Sequence, residues 1–277
     1  MNIIGISASR REWGNTDILV RQALKGAARE GAQTRFLRLT DFKIDQCREC
    51  LVCLFKDKDC VIKDQLPTLL KVLREADAVV LGSPIHILFA AGAIGNLVPR
   101  LFRQGYTGEF RKKPGMAITV GGRPGWEGWA LQQVMIFFLS LGMPIVDQFT
   151  GYAQGPGEIF FDTDACGRAF NGGQAMAAGE TTYIGTPGTC PVCHCDLVFE
   201  HGDGRILCVM CDMPGKLQQK GKTFRFKPRS GATSRWDPKN NRAHFEKLIL
   251  PSKKGFKSRK EEIRQKLEIF RKGENYE

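Results

Sequence analysis

Cys47, Cys50, Cys53 and Cys60 fall within one short stretch, CRECLVCLFKDKDC. Thiolates at this spacing can converge on one soft metal centre, and four of them match a [4Fe–4S] cluster. A regular strand or helix would not aim all four at one point, so the spacing predicts a loop wrapped around its ligand. Zinc is the competing occupant. Three cysteines at x2 intervals favour the cluster, because zinc ligands tend to come in two separated pairs.

A second group has that paired form. Cys190-x2-Cys193 and Cys208-x2-Cys211 make two CxxC knuckles at a separation suited to a small four-thiolate ribbon. Zinc would make it a structural ribbon, and iron would make it a rubredoxin-like redox centre. Rubredoxin knuckles are usually followed by Gly, whereas His194 and Asp212 stand here. The reading leans to zinc. His194, Cys195 and Cys166 are expected to be bystanders, Cys166 as a small buried hydrophobe.

The elements that must position these cysteines follow from composition and pattern. The chain has 277 residues, 42% of them hydrophobic, enough for one large domain with an appendage. Ten cysteines with no export signal at the start argue for metal ligation in a reducing cytoplasm rather than a disulfide framework. The most apolar run, 134–141, is too short to span a bilayer. The net charge of +12 is concentrated at the C-terminal end. Residues 216–277 hold 19 Lys/Arg against 7 Asp/Glu, and residues 1–215 hold 22 of each. A basic tail of this kind suits an acidic protein, nucleic acid or an anionic surface.

Short apolar runs at 2–7, 34–39, 78–81, 115–120 and 144–149 read as buried strands. Between them, helical patterns cover 15–31, 64–76, 92–102 and 127–141, with a further helix over 162–178. This alternation predicts a doubly wound parallel α/β sheet. Ligands of such sheets bind beyond the carboxyl ends of the strands, which directs attention to loops 7–16, 41–60, 82–92 and 120–127. Loop 7–16 leads into a helix N-terminus and so suits an anion, although an ordinary capped loop reads the same way. It has neither a GxGxxG nor a Walker pattern. Gly82-Ser83-Pro84-Ile85-His86 forms a firm edge for a flat ring. Gly121 and Gly122 permit close backbone approach, and Trp126 could stack on a ring or serve as a lid on the core.

Taken in order, SASRREWGNT, the cysteine loop, ADAVVLGSPIHI and ITVGGRPGWEGWALQQVMIFFLSLGMPIV resemble the iron–sulfur flavoproteins of the NADPH-dependent FMN reductase superfamily. The resemblance spans about residues 1–180. It implies a flavodoxin-like five-stranded sheet with FMN at its carboxyl edge. By position, Ser7, Ser9, Arg10, Asn15 and Thr16 would hold the FMN phosphate. Pro84, Ile85 and His86 would lie along the isoalloxazine, bordered from the other side by Thr119, Gly121 and Gly122. Cys47, Cys50, Cys53 and Cys60 would bind the cluster. His86 stands where many relatives carry an aromatic residue, and loop 8–14 is fuller than the simplest version. The resemblance also implies a homo-oligomer, dimer or tetramer.

The expected organisation is a flavodoxin-like domain over 1–180 with its cluster loop at 44–60, a metal ribbon over 181–228, and a basic tail over 229–277 ending in a helix. The expected function is electron transfer between a reduced donor, NAD(P)H or a redox protein, and an acceptor, through FMN and the cluster. His86 and Arg123 are candidates for a proton or charge contact near the flavin. One alternative is an NAD(P)H-dependent FMN or quinone reductase. The other is a redox-sensing nucleic-acid-binding protein that uses the ribbon and tail, with Phe224 and Phe226 alternating with Lys222, Arg225 and Lys227. Nucleic acid is the less favoured partner.

Overall fold

The computed structural model describes residues 1–186, 188, 190–202, 205–220 and 223–273. Five parallel strands form the main sheet: β1 (Asn2–Ser7), β2 (Gln33–Arg38), β3 (Ala78–His86), β5 (Gly115–Gly121) and β6 (Ile145–Tyr152). Their order is β2-β1-β3-β5-β6. A two-residue strand, β4 (Phe89–Ala90), folds back on the end of β3 and is the one addition to the expected sheet. Between β1 and β3 the chain order reverses, so the carboxyl ends of these two strands form the crevice where such sheets bind ligands.

Alternation along the strands separates two cores. Ile3, Val80 and Ile118 face α1 (Asn15–Arg29) and α7 (Thr163–Ala177). Ile4, Ile6, Val79, Leu81 and Ala117 face α3 (Leu66–Glu75), α4 (Gly92–Leu97) and α6 (Ala130–Ser140). The helix expected over 92–102 breaks into α4, a 3-10 turn from Val98 to Leu101, and α5 (Phe102–Thr107). Pro99 lies in that turn and cannot donate to a continuing helix. α1 and α7 cross with their backbones nearly touching: a Cβ on Gly173 would stand 1.8 Å from the Ala23 carbonyl oxygen. That contact requires a glycine at 173.

The second cysteine group sits in an antiparallel sheet of order β10-β9-β8-β7. Its strands are β7 (Val198–Glu200), β8 (Ile206–Cys208), β9 (Pro214–Lys220) and β10 (Thr223–Pro228). Cys190, Cys193, Cys208, Cys211, Met210, Met213 and Phe226 belong to the same buried cluster as Leu69, Leu97 and Phe138. The ribbon therefore shares a core with the α3–α6 face of the main sheet. The basic tail after it, expected to end in a helix, contains α8 (Pro238–His244) and α9 (Leu250–Ser258) as well as the terminal α10 (Lys260–Gly273). Trp236 donates its indole N–H to the Met210 carbonyl at 2.6 Å, and Arg235 N donates to the Cys211 carbonyl, so the tail is tied to the ribbon. Phe226 is buried and cannot serve as a stacking platform. The side chains of Lys222, Phe224, Arg225 and Phe270 lie outside the described residues. No helix among the described residues is long and apolar enough to cross a membrane.

Candidate active site

A cleft of about 1290 Å³ opens at the carboxyl edge of the sheet over β1 and β3. It gathers Ser9, Arg10, Asn15, Thr16, Pro84, Ile85, His86, Gly121 and Gly122, most of the residues predicted to hold a flavin. Its floor is set by tight packing: Ala8 N donates to the Gly82 carbonyl, and a Cβ on Gly82 would meet Val20 at 2.5 Å and Thr16 at 2.9 Å. α1 can thus lean directly over the strand ends. Its first turn carries no side-chain cap, which leaves backbone N–H groups and the positive dipole end facing the cleft beside Arg10 and Arg11.

Several predicted residues do other work. Ser7 is buried beneath the cleft, where its hydroxyl accepts from Ser9 N at 3.2 Å. The Ser9 hydroxyl in turn accepts from Arg11 N at 3.1 Å, which curls the loop. Thr119 is buried in the sheet with its hydroxyl 2.8 Å from that of Thr150. The Asn15 side chain is committed to protein, donating to Gly155 O at 2.9 Å and accepting from Gly157 N at 2.9 Å. Asn15 therefore offers only its backbone to an anion. Arg123 and Trp126 do not line the cleft. They are exposed and stack on one another, with the guanidinium 5.2 Å from the ring centroid. His86 stands exposed at the cleft mouth.

The pair beside the rim has no local signature in the sequence. Tyr152 donates its hydroxyl to Glu127, whose carboxylate also accepts from Gly125 N at 2.9 Å. Burial and this bond push the Tyr152 hydroxyl well above its ordinary pKa. Burial pushes the Glu127 carboxyl up, but the bonds from Tyr152 and the backbone outweigh it and leave the carboxyl below its ordinary value.

The cysteine loop leaves from the cleft wall. Lys43, Ile44 and Gln65 line the cleft and also form the neck of the loop. The neck is stitched by Lys43 N to Gln65 Oε1 at 2.6 Å, Gln65 N to Lys43 O at 3.0 Å and Asp45 N to Asp64 Oδ2 at 2.9 Å. Beyond the neck, Glu49, Leu51 and Asp57 all take positive φ, which bends the backbone sharply around the cysteines with only the short α2 (Val52–Phe55) between them. Glu49 N donates to the Cys47 sulfur at 3.4 Å. Burial, then the facing Cys60, Cys47 and Cys50, raise the Cys53 thiol pKa, so the four sulfurs feel one another. They do not gather at the spacing of a single ion. Among the described residues, only Cys190, Cys193, Cys208 and Cys211 do so, with every ligand atom within 4.8 Å of the others.

The ribbon tetrad suits one tetrahedral ion. Sulfur separations of 3.6 Å for Cys190–Cys211 and 3.5 Å for Cys193–Cys208 compare with about 3.8 Å for thiolates 2.3 Å from a shared metal. His194 and Asp212 take φ of 58° and 57°, the left-handed conformation for which glycine is favoured after a knuckle. The departure from the glycine pattern is thus one of residue type and not of backbone. Cys195 is not in the tetrad and accepts from Leu197 N at 3.3 Å. The His194 ring stacks on Tyr183 with centroids 3.5 Å apart. Cys166 is only half-buried and donates its thiol to the Ile159 carbonyl.

Residues 1–155 match the family described as NADPH-dependent FMN reductase. The chain belongs to that family. It is a flavin-dependent oxidoreductase of the electron-transferring kind, and FMN is its flavin. An iron–sulfur flavoprotein of Methanocaldococcus jannaschii is 35% identical over 188 residues, covering 64% of this chain and 96% of that protein. A flavone synthase of Aspergillus candidus is 26% identical over 261 residues, covering 78% of each chain. Among solved structures, a flavone reductase superposes with a TM-score of 0.82 at 20% identity, covering 98% of this chain and 97% of that one. The flavodoxin-like fold together with its C-terminal extension is therefore an architecture found elsewhere.

Proposed function

We propose that this oxidoreductase passes electrons between the FMN in the cleft and a [4Fe–4S] cluster on Cys47, Cys50, Cys53 and Cys60. One observation carries the reading: Lys43, Ile44 and Gln65 belong at once to the cleft wall and to the neck of the cysteine loop. A flavin in the cleft and a cluster in the loop would share that neck as a common protein element. FMN accepts electrons in pairs and releases them singly, and a cluster exchanges them one at a time.

The chain's own residues bind and orient. The first-turn amides of α1, with Arg10, receive the phosphate, and Ser9 shapes the loop that presents them. Pro84 and Ile85 support one side of the ring, and Gly121 and Gly122 let the opposite loop approach it. His86, at the open mouth, is in position to donate a hydrogen bond to what enters there. The donor that delivers electrons is NAD(P)H, as the family description suggests, or a reduced redox protein. The four ribbon cysteines, all buried and leaving no open position, support one structural zinc ion. All ten cysteines are free of disulfides, which fits a reducing cytoplasm.

Anaerobic purification followed by metal analysis and an absorbance spectrum tests this directly. About four irons per chain with one zinc, and a broad visible band that bleaches on reduction, are expected. Fewer than about three irons would remove the cluster, and about five without zinc would put iron in the ribbon. NADPH added alone then decides whether the nicotinamide reduces the flavin directly.

A further inference from the structure

Arg100 lies about 40 residues beyond the last loop cysteine, yet its guanidinium is built into the loop. The side chains of Arg100 and Asp64 are both wholly buried. One terminal nitrogen of Arg100 donates to Asp64 Oδ2 at 2.5 Å and to the Asp45 carbonyl at 2.6 Å, and the other donates to Asp64 Oδ1 at 3.2 Å. Asp64 also accepts from Asp45 N and Leu66 N. One arginine thus clamps the two ends of the cysteine loop.

The same guanidinium stands beside the cysteines themselves. Cys53, Cys60, Arg100 and Arg103 line one small recess. The Arg100 side chain borders that recess beside Cys60. Its Nε is buried with no acceptor among the described residues. Arg103 differs, because it is turned outward onto the exposed Asp57 and Asp59. Asp64 does not line the recess, whose charged members are Arg74, Arg100, Arg103 and Asp59.

Resting on the cluster reading above, we infer that Arg100 sets the reduction potential of that cluster. A reduced cluster carries one more negative charge than an oxidised one. A fixed positive charge in a dry site favours the reduced form, and so does a hydrogen bond to a ligand sulfur. Both effects raise the potential and make the cluster a better acceptor of the single electron that the reduced flavin releases. Arg100 is a positioning and tuning residue and touches no substrate.

The test is an EPR-monitored redox titration of the full-length protein, purified anaerobically, with iron and acid-labile sulfide counted in each sample. The variants are Arg100→Gln, Arg100→Lys and the double variant Asp64→Asn with Arg100→Gln, which leaves neither charge buried alone. The neutral variants are expected to keep iron and to drop in midpoint potential by about 60 mV, a tenfold change in the one-electron equilibrium constant. Arg100→Lys, which keeps the charge, is expected to stay closer to the parent protein. Full iron with an unchanged midpoint in the neutral variants would overturn the inference. So would loss of iron from both neutral variants with its retention in Arg100→Lys, since Arg100 would then only hold the loop together. A parent protein without iron would instead bring down the cluster reading, and the iron count separates the two failures.

Discussion

Asn15, at the start of α1, is joined to Gly157 by a bond of 2.9 Å from the glycine N–H to its side-chain oxygen, while its amide nitrogen donates to Gly155 O at 2.9 Å. The helix that opens the flavin site is thereby latched to the loop after the last strand. Asn15→Ala is expected to cost about 1–3 kcal/mol, because it leaves partly buried backbone groups unpaired. It should also weaken FMN retention by loosening the phosphate end of the cleft. Thermal melts and a fluorescence titration of apoprotein with FMN would measure both. Asn15→Asp, which keeps the acceptor for Gly157 N, should be the milder change.

The Asp64–Arg100 pair makes a pH-dependent contribution to stability. Burial alone would raise the Asp64 carboxyl, but Arg100 and the Asp45 and Leu66 N–H groups outweigh it and bring its pKa below the ordinary 3.8. The unfolded chain then binds this proton more tightly than the folded one. The stabilisation is complete above about pH 5 and is lost as pH falls through 3.8 and below. Asp64→Ala leaves Arg100 buried without its partner and is expected to cost about 3–5 kcal/mol at neutral pH. Denaturant melts between pH 3 and pH 7 should show that difference shrinking on the acid side; a constant gap would contradict the assignment.

The ribbon tetrad lies inside the core shared with the main sheet. Cys208→Ser is therefore expected to release one metal ion per chain and to lower the melting temperature of the whole protein. Its flavin spectrum should remain at low temperature. Metal analysis and a calorimetric scan would check the two halves of this expectation. A variant that loses its metal yet melts with the parent would show the ribbon to be energetically separate.

The tip between β3 and β4 is apolar and exposed. Ile87 is 85% exposed and Phe89 53%, and Trp129, which donates its backbone N–H to Leu88 O, stands beside them at 49%. Ile87 and Leu88 both hold positive φ, a conformation that a β-branched residue resists. Apolar groups presented in this way suit contact with another molecule, and the homo-oligomer implied by the family resemblance would make that a second copy of the chain. Ile87→Ser with Phe89→Ser is expected to shift the particle toward the monomer mass in light scattering and to leave the monomer folded.

Local pattern determined much of this protein. Apolar runs specified four of the five strands, because a buried parallel strand requires continuous apolar residues; β2, at the sheet edge, is mixed in sequence and only partly buried. Cysteine spacing picked out the ribbon tetrad, since knuckle geometry is set within a few residues. The loops that line the cleft were also legible, because Ser9, Pro84 and Gly122 sit at or beside strand ends whose positions the sheet dictates, and Thr16 opens the helix that follows β1. What could not be read depended on partners distant in sequence. Asn15 looks like a phosphate ligand until the loop at 153–159 comes round to occupy its side chain. Thr119 looks like a ring contact until Thr150 on the adjacent strand takes its hydroxyl. Arg100 carries no local signal at all, and only the packing of α4 and α5 against the cysteine loop buries its charge beside Cys60. A buried charge or amide is committed by whichever partner the fold brings within about 3 Å, and that distance is decided by tertiary structure.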